Sequence, residues 1–234
     1  MMANSSFRIA LAGNPNTGKS TLFNLLTGLR QHTGNWAGKT VDLLEGDFSY
    51  KHKEYKIIDL PGTYSLLTES PDEEVAREYI LFERPNITMV VLDATSLQRN
   101  LNLALQVLEM TENVIICINL IDEAEKKNIY IDEGKIMRRL GVPVIKISAH
   151  TKMGIPKLLD TLDQMIEGKI KAVPLKIQYS DELEAKITEL TPKLEQIIGG
   201  RYPLRWIALR IIEGDTTFLR SLENRLEEDA TCKS

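Results

Sequence analysis

The stretch FRIALAGNPNTGKSTLFNLLTG, residues 7–28, decides the fold. Its first seven residues are mostly apolar and read as a strand. Residues 20–29 place Leu22, Leu25, Leu26 and Leu29 on one face of a helix. Between them Gly13, Gly18, Lys19 and Ser20 satisfy G-x-x-x-x-G-K-[ST]. Glycines let a backbone wrap closely round phosphate oxygens with its N–H groups pointing inward. The helix that follows adds its positive end. Gly13, Asn14, Pro15, Asn16, Thr17, Gly18, Lys19, Ser20 and Thr21 are therefore expected to enclose a nucleotide's phosphates. Lys19 would reach the β- and γ-phosphates, and Ser20 would ligate Mg²⁺.

Outward from this loop, short apolar runs alternate with helical periodicity. Strands are expected in TVDLLEGDFSY, EYKIIDL, ITMVVLDA, NVIICINL and VPVIKISA. Helices are expected near residues 75–82, 97–110, 132–140 and 156–166, with 61–74 a loop. This alternation predicts an α/β, doubly wound, mostly parallel sheet of six strands. Past residue 171 the pattern becomes wholly helical. Leu183, Ile187, Leu190, Leu194 and Ile197 line one face. Pro192 is expected to kink or restart that helix, with Thr191 as a cap. Two more helices follow. The expected division is 1–171 and 172–234.

Composition narrows the function. There are 29 basic and 33 acidic residues, a net charge of −4, which argues against nucleic-acid binding through a positive field. Cys117 and Cys232 are far apart and suggest neither zinc nor a disulfide framework, so a cytosolic setting is expected. No leader is apparent, and no apolar run approaches the roughly 20 residues needed to cross a bilayer. His32, His52 and His150 are scattered, and no iron site is apparent.

Later motifs choose the base. NLID places Asn119, Leu120 and Asp122 at the carboxyl end of a buried strand, the ligand edge of such a sheet. A carboxylate at Asp122 accepts from guanine N1–H and its exocyclic amine, and adenine offers neither donor there. Asn119 would hold the base and tie its loop to the phosphate cradle. In SAH the N–H of Ala149, after Ser148, would meet the guanine carbonyl. DLPG, residues 59–62, gives Asp59, Leu60, Pro61 and Gly62. Asp59 would hold Mg²⁺ through water, and the Gly62 N–H would contact the γ-phosphate. In GNWAGKT, Thr40 is the natural second Mg²⁺ ligand, Trp36 an aromatic packed over the nucleotide in preference to a core plug, and Gly34 and Gly38 the source of a mobile switch.

These elements, in this order, resemble a small GTPase domain of the translation-factor-like superfamily. More narrowly, GNPNTGKSTLFNLLTG, GNWAGKTVDLLEG, DLPGTYSL and VVLDATSLQRNLNLALQVLE leading into NLID resemble the cytosolic part of bacterial ferrous iron transport protein B. The resemblance covers residues 7–168 strongly and agrees with a helical subdomain after them. Lys39 and His150 depart from the family's usual valine and lysine, and Leu120 from the lysine of most GTPases. The resemblance implies a GTP/GDP-binding, slowly hydrolysing regulatory module on the cytoplasmic face of a membrane transporter, with no nucleic-acid partner and assembly through the membrane region. Thr63 and Tyr64 follow Gly62, so the water-orienting glutamine of many GTPases is missing. Asn16 resembles the potassium-binding asparagine of cation-activated GTPases. With backbone oxygens near Gly34 and Trp36 it would hold K⁺ between the α- and γ-phosphates. Lys19, Asn16, Thr40 and Gly62 are thus the expected catalytic set. A ribosome-assembly or RNA-modifying GTPase is the alternative, for which a basic appendage would be expected.

Overall fold

A computed structural model describes residues 6–35, 42–67 and 70–231. The chain divides into two compact units, Met1–Leu175 and Lys176–Ser234.

The first unit is a sheet of seven strands flanked by helices. The strands are β1 (Phe7–Gly13), β2 (Gln31–Asn35), β3 (Asp42–Tyr50), β4 (Lys53–Asp59), β5 (Ile87–Asp93), β6 (Val114–Asn119) and β7 (Val144–Lys146). Their order is β2-β3-β4-β1-β5-β6-β7. Neighbours from β4 through β7 pair in parallel, while β3 runs antiparallel to β4 and β2 to β3. The helices are α1 (Lys19–Thr27), α2 (Pro71–Glu78), α3 (Leu97–Met110), α4 (Ile121–Lys126), α5 (Glu133–Leu140) and α6 (Ile155–Ile166).

The central strands are apolar along most of their length because helices cover both faces of the sheet. All six residues of β6 are buried, as are the first six of β5. Under one face Leu22, Phe23 and Leu158 pack on Ile9, Leu11, Ile57, Met89 and Ile115. Phe48 stacks on Tyr55 with ring centroids 5.0 Å apart. The β3–β4 hairpin is fastened to α6 by charge. Lys51 bonds Asp160, while Lys53 bonds Asp163 and reaches Glu167 at 2.8 Å.

The strand count corrects the six-stranded expectation. Gln31–Asn35 adds a seventh, edge strand, with Gly34 opposite Leu43. Gly34 therefore belongs to a ladder and not to a mobile loop, and an added Cβ would come within 2.8 Å of Glu45 Oε1. The helix expected near 75–82 starts earlier. Ser70 caps α2 by accepting from the Glu73 N–H, with Pro71 in its first turn, and a π-helical turn, Tyr79–Glu83, carries it on. Of VPVIKISA, Val144–Lys146 alone joins the ladder.

The second unit holds α7 (Asp181–Ile198), α8 (Leu204–Glu213) and α9 (Thr216–Thr231). Ser180 caps α7. Pro192 neither ends nor restarts it, and Thr191 is no cap: its hydroxyl donates to Ile187 O at 2.7 Å inside one continuous helix. Buried Trp206 meets buried Phe218 edge to face at 4.8 Å. Arg205 donates twice to Glu184 and once to Ile177 O.

Candidate functional site

The carboxyl ends of β1, β4 and β6, with the segment after β7, converge on one loop, residues 13–19. That loop holds its shape by two left-handed residues, Asn16 (φ 63) and Gly18 (φ 78). Asparagine tolerates this region better than most residues, and glycine is unrestricted. Gly18 has a second constraint: a Cβ there would lie 2.4 Å from Asn119 Nδ2. Gly13 is held too, since its Cβ would lie 2.7 Å from Val91 O. The Thr17 hydroxyl closes the loop by donating to Asn14 O at 3.0 Å.

Helix α1 begins straight from Gly18, with no side-chain cap and no acidic residue in its first turn. Its first amides are left for an anion. Lys19, buried at the same place, bonds the Asp59 carboxylate and donates to Leu60 O at 2.6 Å. Two backbone bonds, Leu60 N–H to Leu11 O and Thr63 N–H to Gly13 O, draw residues 59–63 alongside the loop. Ser20 Oγ stands 3.5 Å from Asp59 Oδ2, at the outer limit of a hydrogen bond. Burial pushes the Asp59 carboxyl above its ordinary value, against the opposing pull of Lys19. Pro15 and Pro61 are half-buried, and Ser20, Thr21 and Gly62 are exposed.

Asn119 is 0% exposed and ties three segments together. Its Nδ2 donates to Thr17 O at 2.9 Å and its Oδ1 accepts from Ala149 N at 3.0 Å. The Ala149 N–H, expected to face a guanine carbonyl, is given to Asn119 instead, because the segment after β7 must be fixed to the end of β6. Leu120 turns the chain in left-handed conformation (φ 62) into α4. This places Asp122 in the first turn of that helix, where its Oδ1 is buried with no hydrogen-bond partner. The hydroxyl of buried Ser148 accepts from the Thr151 N–H.

The structure thus brings together the 13–21, 59–62, 119–122 and 148–149 residues expected from the sequence. Trp36, Gly38, Lys39 and Thr40 lie outside the described residues. Sequence reasoning missed Gln106 on α3. Its Oε1 accepts from the Leu66 N–H at 2.6 Å and from the Ser65 hydroxyl at 3.3 Å. Arg99, on the same helix, lies over the Tyr64 ring at 4.5 Å. The signal available for Gln106 was one polar residue on the buried face of an amphipathic helix. Among the described residues no group of three or more His, Cys, Asp or Glu side chains could hold a metal ion, and no helix is long and apolar enough to cross a membrane.

Two families match successive parts of the chain. Residues 7–162 match the family described as ferrous iron transport protein B, and residues 179–234 match the FeoB cytosolic helical domain. The Fe(2+) transporter FeoB of Escherichia coli O157:H7 is 42% identical over 214 residues, which is 88% of this chain and 27% of that protein. A Porphyromonas gingivalis Fe(2+) transport protein A/Fe(2+) transporter FeoB fusion protein is 41% identical over 89% of this chain and 25% of its own length. The chain thus spans about a quarter of the length of these curated relatives. Among solved structures, the cytosolic domain of the T. maritima FeoB iron transporter in a GDP form superposes with a TM-score of 0.84 at 34% identity, covering 94% of this chain and 87% of that one. The cytosolic domain of L. pneumophila FeoB gives 0.81 at 36% identity, covering 90% and 89%.

Proposed function

The chain belongs to the ferrous iron transport protein B family, and from that premise we propose that it is a GTP-binding, slowly hydrolysing regulatory module of a ferrous iron transporter. It works on the cytoplasmic face of a membrane whose transporting region the longer relatives carry. The observation that carries the reading is the pairing of Lys19 with Asp59 and Leu60 O beside the uncapped start of α1. An ammonium buried in a backbone cradle, occupied by two oxygens of its own chain, is built to exchange them for phosphate oxygens. A related T. maritima cytosolic domain has been solved in a GMPPNP form, at 35% identity.

Guanine is selected by Asp122, whose buried Oδ1 lacks a partner within the protein. Asn119 fixes the base-binding turn to the phosphate loop. The donor set at Ser20 and Asp59 is oxygen alone and suits a hard cation such as Mg²⁺, with Thr40 as a further ligand. Mg²⁺ supplies neutralisation of charge on the phosphate chain. Asn16 is exposed and makes no hydrogen bond within the described residues, so its carboxamide is free for K⁺ together with backbone oxygens near Gly34 and Trp36. K⁺ there supplies the positive charge that an arginine gives in other GTPases.

Hydrolysis is attack by water on the γ-phosphorus. The new P–O bond forms in line with the breaking bond to the β–γ bridging oxygen, GDP leaves with that electron pair, and the attacking water's protons stay on the released phosphate or pass to solvent. Lys19 holds the β- and γ-phosphate oxygens, and the Gly62 N–H holds the γ-phosphate. Thr63 and Tyr64 offer no carboxamide to orient the water, so turnover is slow. Calorimetry with GDP and GTP on the wild type and Lys19→Ala tests the binding. Magnesium-dependent binding lost in Lys19→Ala is expected, and equal binding by both proteins, or a preference for ATP, refutes it. Phosphate release in KCl against NaCl, with Asn16→Ala alongside, tests the cation. Equal rates in the two salts remove potassium from the mechanism.

A further inference from the structure

Asn14 contributes its backbone to the phosphate loop, but its buried side chain has no part in the hydrolysis described above. It is 1% exposed, and neither its carboxamide oxygen nor its nitrogen has a hydrogen-bond partner. Its backbone carbonyl is taken by the Thr17 hydroxyl, but the side chain is left with a free acceptor and two free donors. Burying an amide without partners is costly, and native proteins rarely do so unless another state supplies them.

The surroundings identify that state. The residues on either side of Asn14 both touch one segment. Gly13 O accepts the Thr63 N–H at 3.2 Å, and Pro15 backs Gly62 so closely that an added Cβ would lie 3.4 Å from its Cα. That segment belongs to residues 60–67, which follow β4 and have no regular structure. Further along it is held again, at Ser65 and Leu66, by Gln106. Residues 62–65 are therefore tied to the loop at Thr63 and to α3 at Ser65, with Tyr64 between the two ties. Within the described residues no hydrogen bond takes the backbone amides of Gly62, Tyr64 or Ser65. The backbone on both sides of this buried, unpartnered carboxamide thus runs along a short span with amides to offer.

We propose that Asn14 is a positioning residue for hydrolysis: its carboxamide is completed by the backbone of residues 62–65 when a triphosphate draws that span onto the cradle. This rests on the GTPase reading, and it adds a group that tells GTP from GDP without touching the nucleotide. In the diphosphate and empty states the carboxamide stays unsatisfied. In the triphosphate state it acts through the Gly62 N–H, by holding that amide against the γ-phosphate.

Asn14→Leu is close in size and removes the unsatisfied group, and Asn14→Asp keeps an acceptor of the same shape. Both are compared with the wild type for melting temperature without nucleotide, for affinity toward GDP and GMPPNP, and for kcat. For Asn14→Leu an unchanged or higher melting temperature and a near-unchanged GDP affinity are expected, with GMPPNP affinity and kcat each falling about tenfold, the worth of one hydrogen bond. Asn14→Asp should recover part of the GMPPNP loss. In the wild type GMPPNP should slow hydrogen exchange at the Tyr64 or Ser65 amide, and in Asn14→Leu it should not. A lower melting temperature with equal losses for both nucleotides makes Asn14 a plain structural residue and overturns the proposal, as does unaltered GMPPNP affinity. If the wild type binds neither nucleotide, the GTPase reading itself has failed.

Discussion

Replacing Asn119 by alanine isolates the structural half of that residue's work. Two hydrogen bonds, of 2.9 and 3.0 Å, disappear together. Both partners remain buried, since Thr17 is 1% and Ala149 5% exposed. Each is a backbone group, and an orphaned buried backbone group costs about 1–3 kcal/mol. The loss expected without any nucleotide is therefore about 2–6 kcal/mol from the first unit. For a unit of this size 1 kcal/mol corresponds to about 2–4 °C, so the melting temperature should fall by roughly 5–20 °C. Urea unfolding gives the free energy. Hydrogen exchange at the Ala149 amide gives the local effect, which should be a clear loss of protection. Asn119→Asp is a useful companion. It keeps an oxygen for the Ala149 N–H but sets a second one against Thr17 O, so it should cost at least as much. A loss below about 1 kcal/mol in Asn119→Ala, with the Ala149 amide still protected, refutes the idea that this carboxamide holds the three segments together.

Burial pushes the Cys117 thiol up to about 12, so in a Cys232→Ser background no thiol should react with an aromatic disulfide at mildly alkaline pH until the first unit unfolds; prompt reaction of the native protein contradicts the buried position. Arg205, followed by the Tyr179 N–H, holds the Glu184 carboxyl at about 2, below its ordinary 4.5. A depressed carboxylate stabilises the fold above its unfolded value and loses that contribution as pH falls from about 4.5 toward 2. The second unit should therefore weaken across that window, and Glu184→Gln should flatten the dependence in thermal unfolding; an unchanged slope argues against the ion pair. Pro192 removes one backbone donor from the middle of α7, so Pro192→Ala should raise the stability of the second unit by about 1–3 kcal/mol in urea unfolding, and a loss would mean that the helix requires the proline's shape.

What could be read beforehand follows from where the determining forces act. The phosphate loop, β1 and α1 are fixed by local chemistry, because glycine, lysine and serine at that spacing serve one backbone shape. The buried strands announce themselves by unbroken apolar runs. Gln31–Asn35 does not, since Gln-His-Thr-Gly-Asn has no apolar residue and Thr33 as its one β-former; it is a strand because the open edge of β3 accepts it. The start of α2 carries its own signal in the capping-box spacing of Ser70 and Glu73, although the apolar periodicity begins only at Val75. Pro192 misled because packing along α7 outweighs one missing donor. The link from Asn119 to Ala149 joins residues 30 apart in sequence, and the unsatisfied amide of Asn14 is a property of burial; neither leaves a mark in the chain's local pattern.

The engagement of Lys19 by Asp59 and Leu60 O bears on how the cycle begins. A cradle whose cation stood bare would be repelled by its own amides and would scavenge any passing anion. Here the ammonium is already paired with a carboxylate and a carbonyl of its own chain, so entry of a ligand is a swap of oxygens. Monoanions that offer one weak contact gain little from such a swap. A chain of linked phosphates, meeting the ammonium and the helix amides at once, gains enough to displace the carboxylate, and on leaving it lets the carboxylate close behind it.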